Sequence, residues 1–286
     1  MQVFNGDELD PAPPIRRNPT RLTVARALIA LAVAFIGAQL VGKLAGDVAR
    51  SLAGVRGDSL APAVIIPSML ASELTLLGVA LLTPLTASLP LFQALGLSPA
   101  KWRVYVAATL GTVMLGPLGD RLMSLFAALF PGLTLGVVPA LHELAQQLPF
   151  AWLWPTFAVL PGIAEELLFR GVLQRSIARP ALAIPLSGAA FALFHVDPVH
   201  VVGVLPLGLF LAWTAQRSGT LVTVVAHVMN NSIALVAIKS NALDVGYGAE
   251  SDVPLPWLLG SLLLVAAAVF VLARETRPLE PLGRTA

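Results

Sequence analysis

Residues 149–174 read PFAWLWPTFAVLPGIAEELLFRGVLQ, an apolar run that also carries two adjacent glutamates and an arginine. A helix that crosses a bilayer needs about 20 predominantly apolar residues, so this stretch predicts a transmembrane helix. Ionisable side chains inside such a helix are costly and usually belong to functional sites. The stretch therefore predicts both a membrane span and the place of a functional site.

Seven further segments meet the same criterion, so the sequence predicts an all-α, polytopic transmembrane helical bundle of about eight spans. Asp120 and Arg121 interrupt the third predicted span, which favours an interfacial position for its second half. The fifth and sixth spans are short, and Asp197 and Pro198 separate them. In chain order the predicted spans are 23–42, 61–89, 103–131, 149–174, 181–196, 199–216, 220–238 and 254–273.

The composition supports lipid as the main surrounding of the chain. Hydrophobic residues make up 57% of the 286 positions and charged residues 12%, and the mean hydropathy is +0.82. A soluble domain carries about 25% charged residues. The net charge of +2 comes without a basic block, which argues against nucleic acid as a partner. The absence of cysteine excludes disulfides, thiolate metal sites and a cysteine nucleophile.

Lysine and arginine accumulate on the cytoplasmic side of membrane proteins, which predicts the orientation of the bundle. With the amino terminus in the cytoplasm, five of the 18 basic residues fall on the opposite side, so both termini are predicted to be cytoplasmic. The abundance of alanine, leucine, proline and arginine favours a GC-rich bacterial genome and hence the bacterial inner membrane. The five residues on the opposite side are Lys43, Arg50, Arg56, Arg121 and Lys239.

Four regions follow from this arrangement. Residues 1–22 are predicted to form a cytoplasmic polar segment, and residues 23–148 the N-terminal transmembrane helices. Residues 149–240 carry the candidate chemistry and are predicted to form the catalytic core. Residues 241–286 are predicted to comprise an external loop, the last span and a cytoplasmic tail.

Two neighbouring glutamates on one helix cannot share a role, because consecutive side chains point about 100° apart. Glu166 and Arg170 have the i,i+4 spacing that allows an ion pair on one helical face. Glu165 is then directed elsewhere, without a local partner. The residues Pro161 and Gly162 precede the pair, and a kink there would open backbone groups to a water-filled cavity.

Two histidines in predicted spans complete the candidate chemistry. A carboxylate and a histidine such as His195 can together hold and deprotonate a water molecule. His227 and Asn231 share one helical face and can donate hydrogen bonds to a developing oxyanion. These are the parts that amide hydrolysis needs without a covalent intermediate. The structural alternative is that these groups only bond helices to one another. The remaining histidines, His142 and His200, are predicted to face water or headgroups.

Three motifs in this order resemble the CPBP family, which comprises CAAX proteases and bacteriocin-processing enzymes. Each motif alone is weak, but the ordered set at these spacings is specific, and it covers roughly residues 150–240. The motifs are Glu165-Glu166-x-x-x-Arg170, Phe191-x-x-x-His195 and His227-x-x-x-Asn231.

The resemblance implies an intramembrane endopeptidase that acts on a membrane-associated protein or peptide. Glu165 would be the general base, and His195 would position the water. His227 and Asn231 would stabilise the oxyanion, while Glu166 and Arg170 would brace the site. The family is often classed as metalloproteases, and a divalent metal such as zinc remains an open alternative. Its ligands would be Glu165, His195 and His227. The metal-free interpretation is preferred.

Two rival functions remain open. A non-catalytic immunity or partner-binding protein can be built on the same scaffold, because a fold does not imply a function. Such a protein would be expected to lose Glu165 or one of the histidines, and this chain keeps them. A transporter can also use buried carboxylates as proton relays. The sequence predicts intramembrane acidic residues in the second half only, whereas a transporter would show paired interrupted segments in two halves.

Overall fold

The computed structural model describes residues 21–56, 61–133, 143–240 and 253–276. These residues form helices and no strand, which confirms the predicted all-α polytopic bundle. Nearly all of the predicted polar segment 1–22, His142, most of the external loop and the end of the tail lie outside the described residues. The helices flanking the central segment are α1 (Val24–Ala53), α2 (Pro62–Thr86), α3 (Leu91–Leu95), α4 (Trp102–Met114), α5 (Gly116–Leu129), α7 (Pro180–Leu193), α8 (Pro198–Ser218), α9 (Thr220–Ser240) and α10 (Leu255–Glu275).

Four consecutive helical segments form the central helix, α6, which carries both adjacent glutamates. Phe150–Leu153 and Leu160–Glu166 are α-helical, whereas Trp154–Val159 and Leu167–Gln174 are π-helical. Single π-helical turns inside α-helices are rare and are frequent at functional sites. The two glutamates therefore lie in a short α-helical segment between two widened ones.

Among the described helices, five are long and apolar enough to cross a membrane, namely α1, α2, α8, α9 and α10. The three other predicted spans correspond to α4 with α5, to α6, and to α7, each of which is divided or shorter. The predicted break in the third span is misplaced, because α4 ends before Leu115 and α5 continues through Asp120 and Arg121. The count of eight spans and the cytoplasmic position of both termini stay predictions.

Helix α1 packs its small residues against α2 and exposes its large ones, the pattern that lets membrane helices approach closely. Ser72 of α2 donates to the carbonyl of Ala38 at 2.9 Å across this contact. The helix continues beyond the predicted end of this span at residue 42, because the small-residue stripe extends to Gly46 and Gly54 caps the helix in a left-handed conformation. The buried stripe consists of Ala27, Ala30, Ala34, Ala38, Gly42 and Gly46.

Helix α6 lies at the centre of the bundle, in contact with α1, α2, α3, α7, α8 and α9. Helix α8 packs against α7 and α5, and α4 joins α9 to α10. The interior between α2, α4, α5, α6, α8 and α9 is a cavity, which is described below. The fold therefore gathers side chains from both halves of the chain around one point.

Gly162 lets α6 approach α9 closely at the level of the site. A Cβ atom built on Gly162 would lie 2.7 Å from the side chain of Val228 and 2.9 Å from its backbone nitrogen. Val228 follows His227, so this contact sets the distance between the two helices that carry the candidate chemistry. A backbone neighbour cannot move away as a flexible side chain can.

We expect Gly162→Ala to lower the free energy of unfolding by about 1–3 kcal/mol, the usual cost of overpacking. Thermal unfolding of the purified protein in detergent measures this change. The matched control is Gly78→Ala in α2, where a Cβ meets nothing within 4 Å and alanine favours the helix. Equal melting temperatures for the two variants would contradict the proposed close approach.

Candidate active site

A cavity of about 370 Å³ brings the candidate residues together. All four predicted catalytic residues line it, although they come from three different places in the chain. Glu165 belongs to α6, His195 follows α7, and His227 and Asn231 belong to α9. The predicted supporting residues Glu166 and Arg170 lie outside the lining, directly behind it.

The ion pair of Glu166 and Arg170 is completely buried. Nη1 of Arg170 donates to Oε1 of Glu166 at 2.7 Å, and Nη2 donates to the carbonyl of Gly208 at 2.9 Å. The guanidinium also lies 4.5 Å from the ring centre of Phe191, a cation–π contact. The pair that the i,i+4 spacing predicted is therefore formed, and it links α6 to α7 and α8.

Glu166 also fixes the orientation of His227. Nδ1 of His227 lies 3.1 Å from Oε1 of Glu166, the oxygen that Arg170 contacts. An ionised carboxylate only accepts hydrogen bonds, so Nδ1 carries a proton and donates it. In the neutral ring, Nε2 is then an acceptor, and it becomes a donor when the ring gains a second proton.

Glu165 differs from its neighbour in exposure and in contacts. Its side chain is 15% exposed, whereas that of Glu166 is fully buried. Its Oε2 lies 3.9 Å from Nε2 of His227, too long for a direct hydrogen bond and in the range that a water molecule bridges. His227 therefore lies between the two carboxylates, with one nitrogen toward each.

His195 lies in a turn, not in a helix, because α7 ends at Leu193. The predicted fifth span, 181–196, therefore extends beyond the end of the helix. Nδ1 of His195 donates to the carbonyl of Phe191 at 3.1 Å, which leaves Nε2 of the neutral ring as an acceptor. The next residue, Val196, has a φ of 65°, a strained conformation for a β-branched side chain.

His200 lines the cavity, so the prediction that it faces water or headgroups is wrong. Its ring centre lies 4.6 Å from that of His195. The side chain of Asp197 accepts from the backbone nitrogen of Val199 and begins α8, which carries His200 into the interior. The sequence alone does not show which face of α8 His200 occupies, because the position of that face depends on how the helix begins after the turn.

Asn231 has a neighbour that orients its amide. Nδ2 of Asn230 donates to Oδ1 of Asn231 at 3.3 Å, and both residues line the cavity. Oδ1 of Asn231 thereby accepts one hydrogen bond, while its amide nitrogen is a donor. Asn230 had no predicted role, although it precedes a candidate residue on the same helix.

Residues 147–233 match the family model described as Type II CAAX prenyl endopeptidase Rce1-like. This segment therefore matches the CAAX protease family. All three predicted motifs lie inside it, and the match covers less than a third of the chain. No curated protein and no solved structure matches the chain. The CAAX protease domain suggests intramembrane endopeptidase activity.

Two carboxylates outside the CAAX protease segment also line the cavity. Glu73 of α2 is 7% exposed, which corrects the prediction that intramembrane acidic residues occur in the second half only. It is the only charged residue of the predicted span 61–89. A lone charged residue in an apolar span indicates a functional site, so the sequence did contain a signal that could have identified Glu73. Asp120 of α5 also faces the cavity, not the predicted interface.

The donors of the alternative zinc site come from α6, from the turn after α7 and from α9. The Nε2 atoms of neutral His195 and His227, with Glu165, are chemically suitable zinc ligands. Within the described ranges, however, no group of three histidine, aspartate or glutamate side chains is arranged to hold a metal ion. The mechanism proposed below uses no step through a metal ion.

Proposed function

We propose that this protein is an intramembrane endopeptidase in which Glu165 activates a water molecule in the cavity. The observation that carries the proposal is the position of His227, between the cavity-facing Glu165 and the buried pair of Glu166 and Arg170. The match to the CAAX protease family supports the same chemistry. The substrate would be a membrane-associated protein or peptide in the bacterial inner membrane.

In the proposed mechanism the water oxygen attacks the carbonyl carbon of the scissile peptide bond. Glu165 takes the proton of the water as general base, and later gives it to the leaving amine as the C–N bond breaks. Nε2 of His195 accepts the second water hydrogen and so positions the attacking oxygen. The hydrogen bond from His195 to the carbonyl of Phe191 supports this role, because it makes Nε2 the acceptor.

The oxyanion would receive hydrogen bonds from Asn231 and His227. Asn231 supplies its amide nitrogen, since Asn230 occupies its oxygen. His227 can contribute through Nε2 only as an imidazolium, because Nδ1 already donates to Glu166. Glu166 and Arg170 would therefore act indirectly, by holding His227 in position.

Asn231→Ala is expected to lower kcat by about 10²–10³ with little change in KM, as for loss of an oxyanion donor. The structural alternative predicts a lower melting temperature and unchanged turnover per folded molecule. Steady-state kinetics with a cleaved peptide, together with thermal unfolding, separates the two. The control is Ser232→Ala, since Ser232 is the next residue on α9 and does not line the cavity. Normal kcat in Asn231→Ala would exclude the catalytic role.

Cleavage is expected to survive metal removal, because the proposed base is a carboxylate of the protein. Purified protein treated with 1,10-phenanthroline and then dialysed should keep its turnover within about twofold. Metal analysis of the same sample by mass spectrometry provides the control. Loss of activity that zinc restores would instead support the alternative ligands Glu165, His195 and His227.

Comparative membrane proteomics tests the proposed function in cells. Cells that express the wild type are compared with cells that express Glu165→Gln at the same level. Uncleaved precursors of membrane-associated proteins should accumulate only in the variant. Identical proteomes would favour the non-catalytic immunity or partner-binding alternative, whereas a changed ion gradient without precursors would favour a transporter.

A further inference from the structure

Glu73 is a buried carboxylate that the proposed mechanism does not use. It lies on α2, in the half of the chain that the CAAX protease match does not cover. Its side chain lines the cavity, the residue is 7% exposed, and its Oε2 has no hydrogen-bond partner among the described residues. A buried carboxylate without a partner is costly in a membrane interior.

Apart from histidines, the described ionisable residues that line the cavity are all acidic. Three carboxylates line it, those of Glu73, Asp120 and Glu165, and no lysine or arginine occurs among its described lining residues. The buried guanidinium of Arg170 is already held by Glu166 and the carbonyl of Gly208. The described lining therefore offers Glu73 no lysine or arginine as a partner.

We propose that Glu73 binds the cationic head of a lysine or arginine side chain close to the bond that is cleaved. The substrates would then be apolar segments interrupted by a basic residue. This inference rests on the proposed function, because it places the scissile bond beside Glu165. A basic side chain suits the cavity, since its apolar stem can lie along the largely apolar lining while its head reaches a carboxylate.

The same charges disfavour a substrate whose free terminal carboxylate enters the cavity. A carboxylate there would face Glu73, Asp120 and Glu165 without a lysine or arginine of the described lining to balance it. Like charges placed next to each other in a site of low dielectric constant oppose binding. The recognised group of the substrate is therefore an internal basic residue, not a terminal carboxylate.

The test measures binding, so that it does not depend on cleavage. The probes are short alanine–leucine peptides, acetylated and amidated, with lysine, norleucine or glutamate at one central position. Their affinities for the purified protein in a non-ionic detergent are measured by fluorescence anisotropy. We expect the wild type to bind the lysine peptide about tenfold more tightly than the norleucine peptide, and the glutamate peptide more weakly than both.

Glu73→Gln should abolish the preference for lysine, whereas Glu73→Asp should keep most of it. Glu275→Gln is the control, because Glu275 pairs with Lys101 and Arg103 away from the cavity. Equal affinities for lysine and norleucine in the wild type would overturn the proposal, as would an unchanged preference in folded Glu73→Gln. Either result leaves Glu165-dependent cleavage intact, so failure of this inference is distinguishable from failure of the proposed function.

Discussion

Replacement of Glu165 by glutamine is expected to abolish peptide cleavage while the bundle remains folded. Glutamine keeps the size of the side chain but cannot take a proton from water, and a general base typically contributes about 10²–10⁴ in rate. The side chain is partly exposed to the cavity and makes no short hydrogen bond in the described structure, so little stability depends on it. Turnover and thermal unfolding of the same preparation measure both expectations.

The control for this variant is Glu275→Gln, which removes a carboxylate from a peripheral ion pair. It should cleave at the wild-type rate. Near-normal turnover in Glu165→Gln would show that another group is the base. Loss of activity together with a large fall in melting temperature would mean that Glu165 acts structurally.

Glu166→Gln is expected to destabilise the protein by about 3–5 kcal/mol, because the charge of Arg170 stays buried without a counter-ion. The effect is large because both side chains are fully buried. Activity per folded molecule should fall as well, since His227 loses the charge that orients it. Expression level, thermal unfolding and turnover, measured together, distinguish this variant from Glu165→Gln.

A matched control exists at the same helical spacing on the surface. Lys43 and Asp47 form an i,i+4 pair in which both side chains are at least half exposed. Asp47→Asn should leave the melting temperature almost unchanged, since solvent screens exposed pairs. The double variant Glu166→Leu with Arg170→Met should be more stable than Glu166→Gln alone. Equal melting temperatures for Glu166→Gln and Asp47→Asn would contradict the stabilising role assigned to the buried pair.

Local spacing predicted the parts of the site that lie on one helix. The Glu166–Arg170 pair follows from one turn of α6, and the shared face of His227 and Asn231 follows from one turn of α9. The apolar runs predicted the helical bundle, because bilayer thickness fixes their length. These features require no knowledge of how the helices pack.

The parts that depend on packing were not predicted. The place of His200 depends on how α8 leaves the turn at Val196, and the place of Glu73 on the contact of α2 with α6. Asp120 looked like a break in a span, whereas the break lies at Leu115. The contact of His227 with Glu166 joins residues 61 positions apart, which no sequence spacing reveals.

The most direct test of endopeptidase activity uses purified protein in liposomes with a precursor identified by proteomics. The reaction runs in water enriched in oxygen-18, and the new termini are analysed by mass spectrometry. Hydrolysis by an activated water predicts one new amino terminus and one new carboxyl terminus that carries a single heavy oxygen, in the wild type but not in Glu165→Gln. Intact precursor in the wild type, or equal products from both proteins, would contradict Glu165-dependent proteolysis.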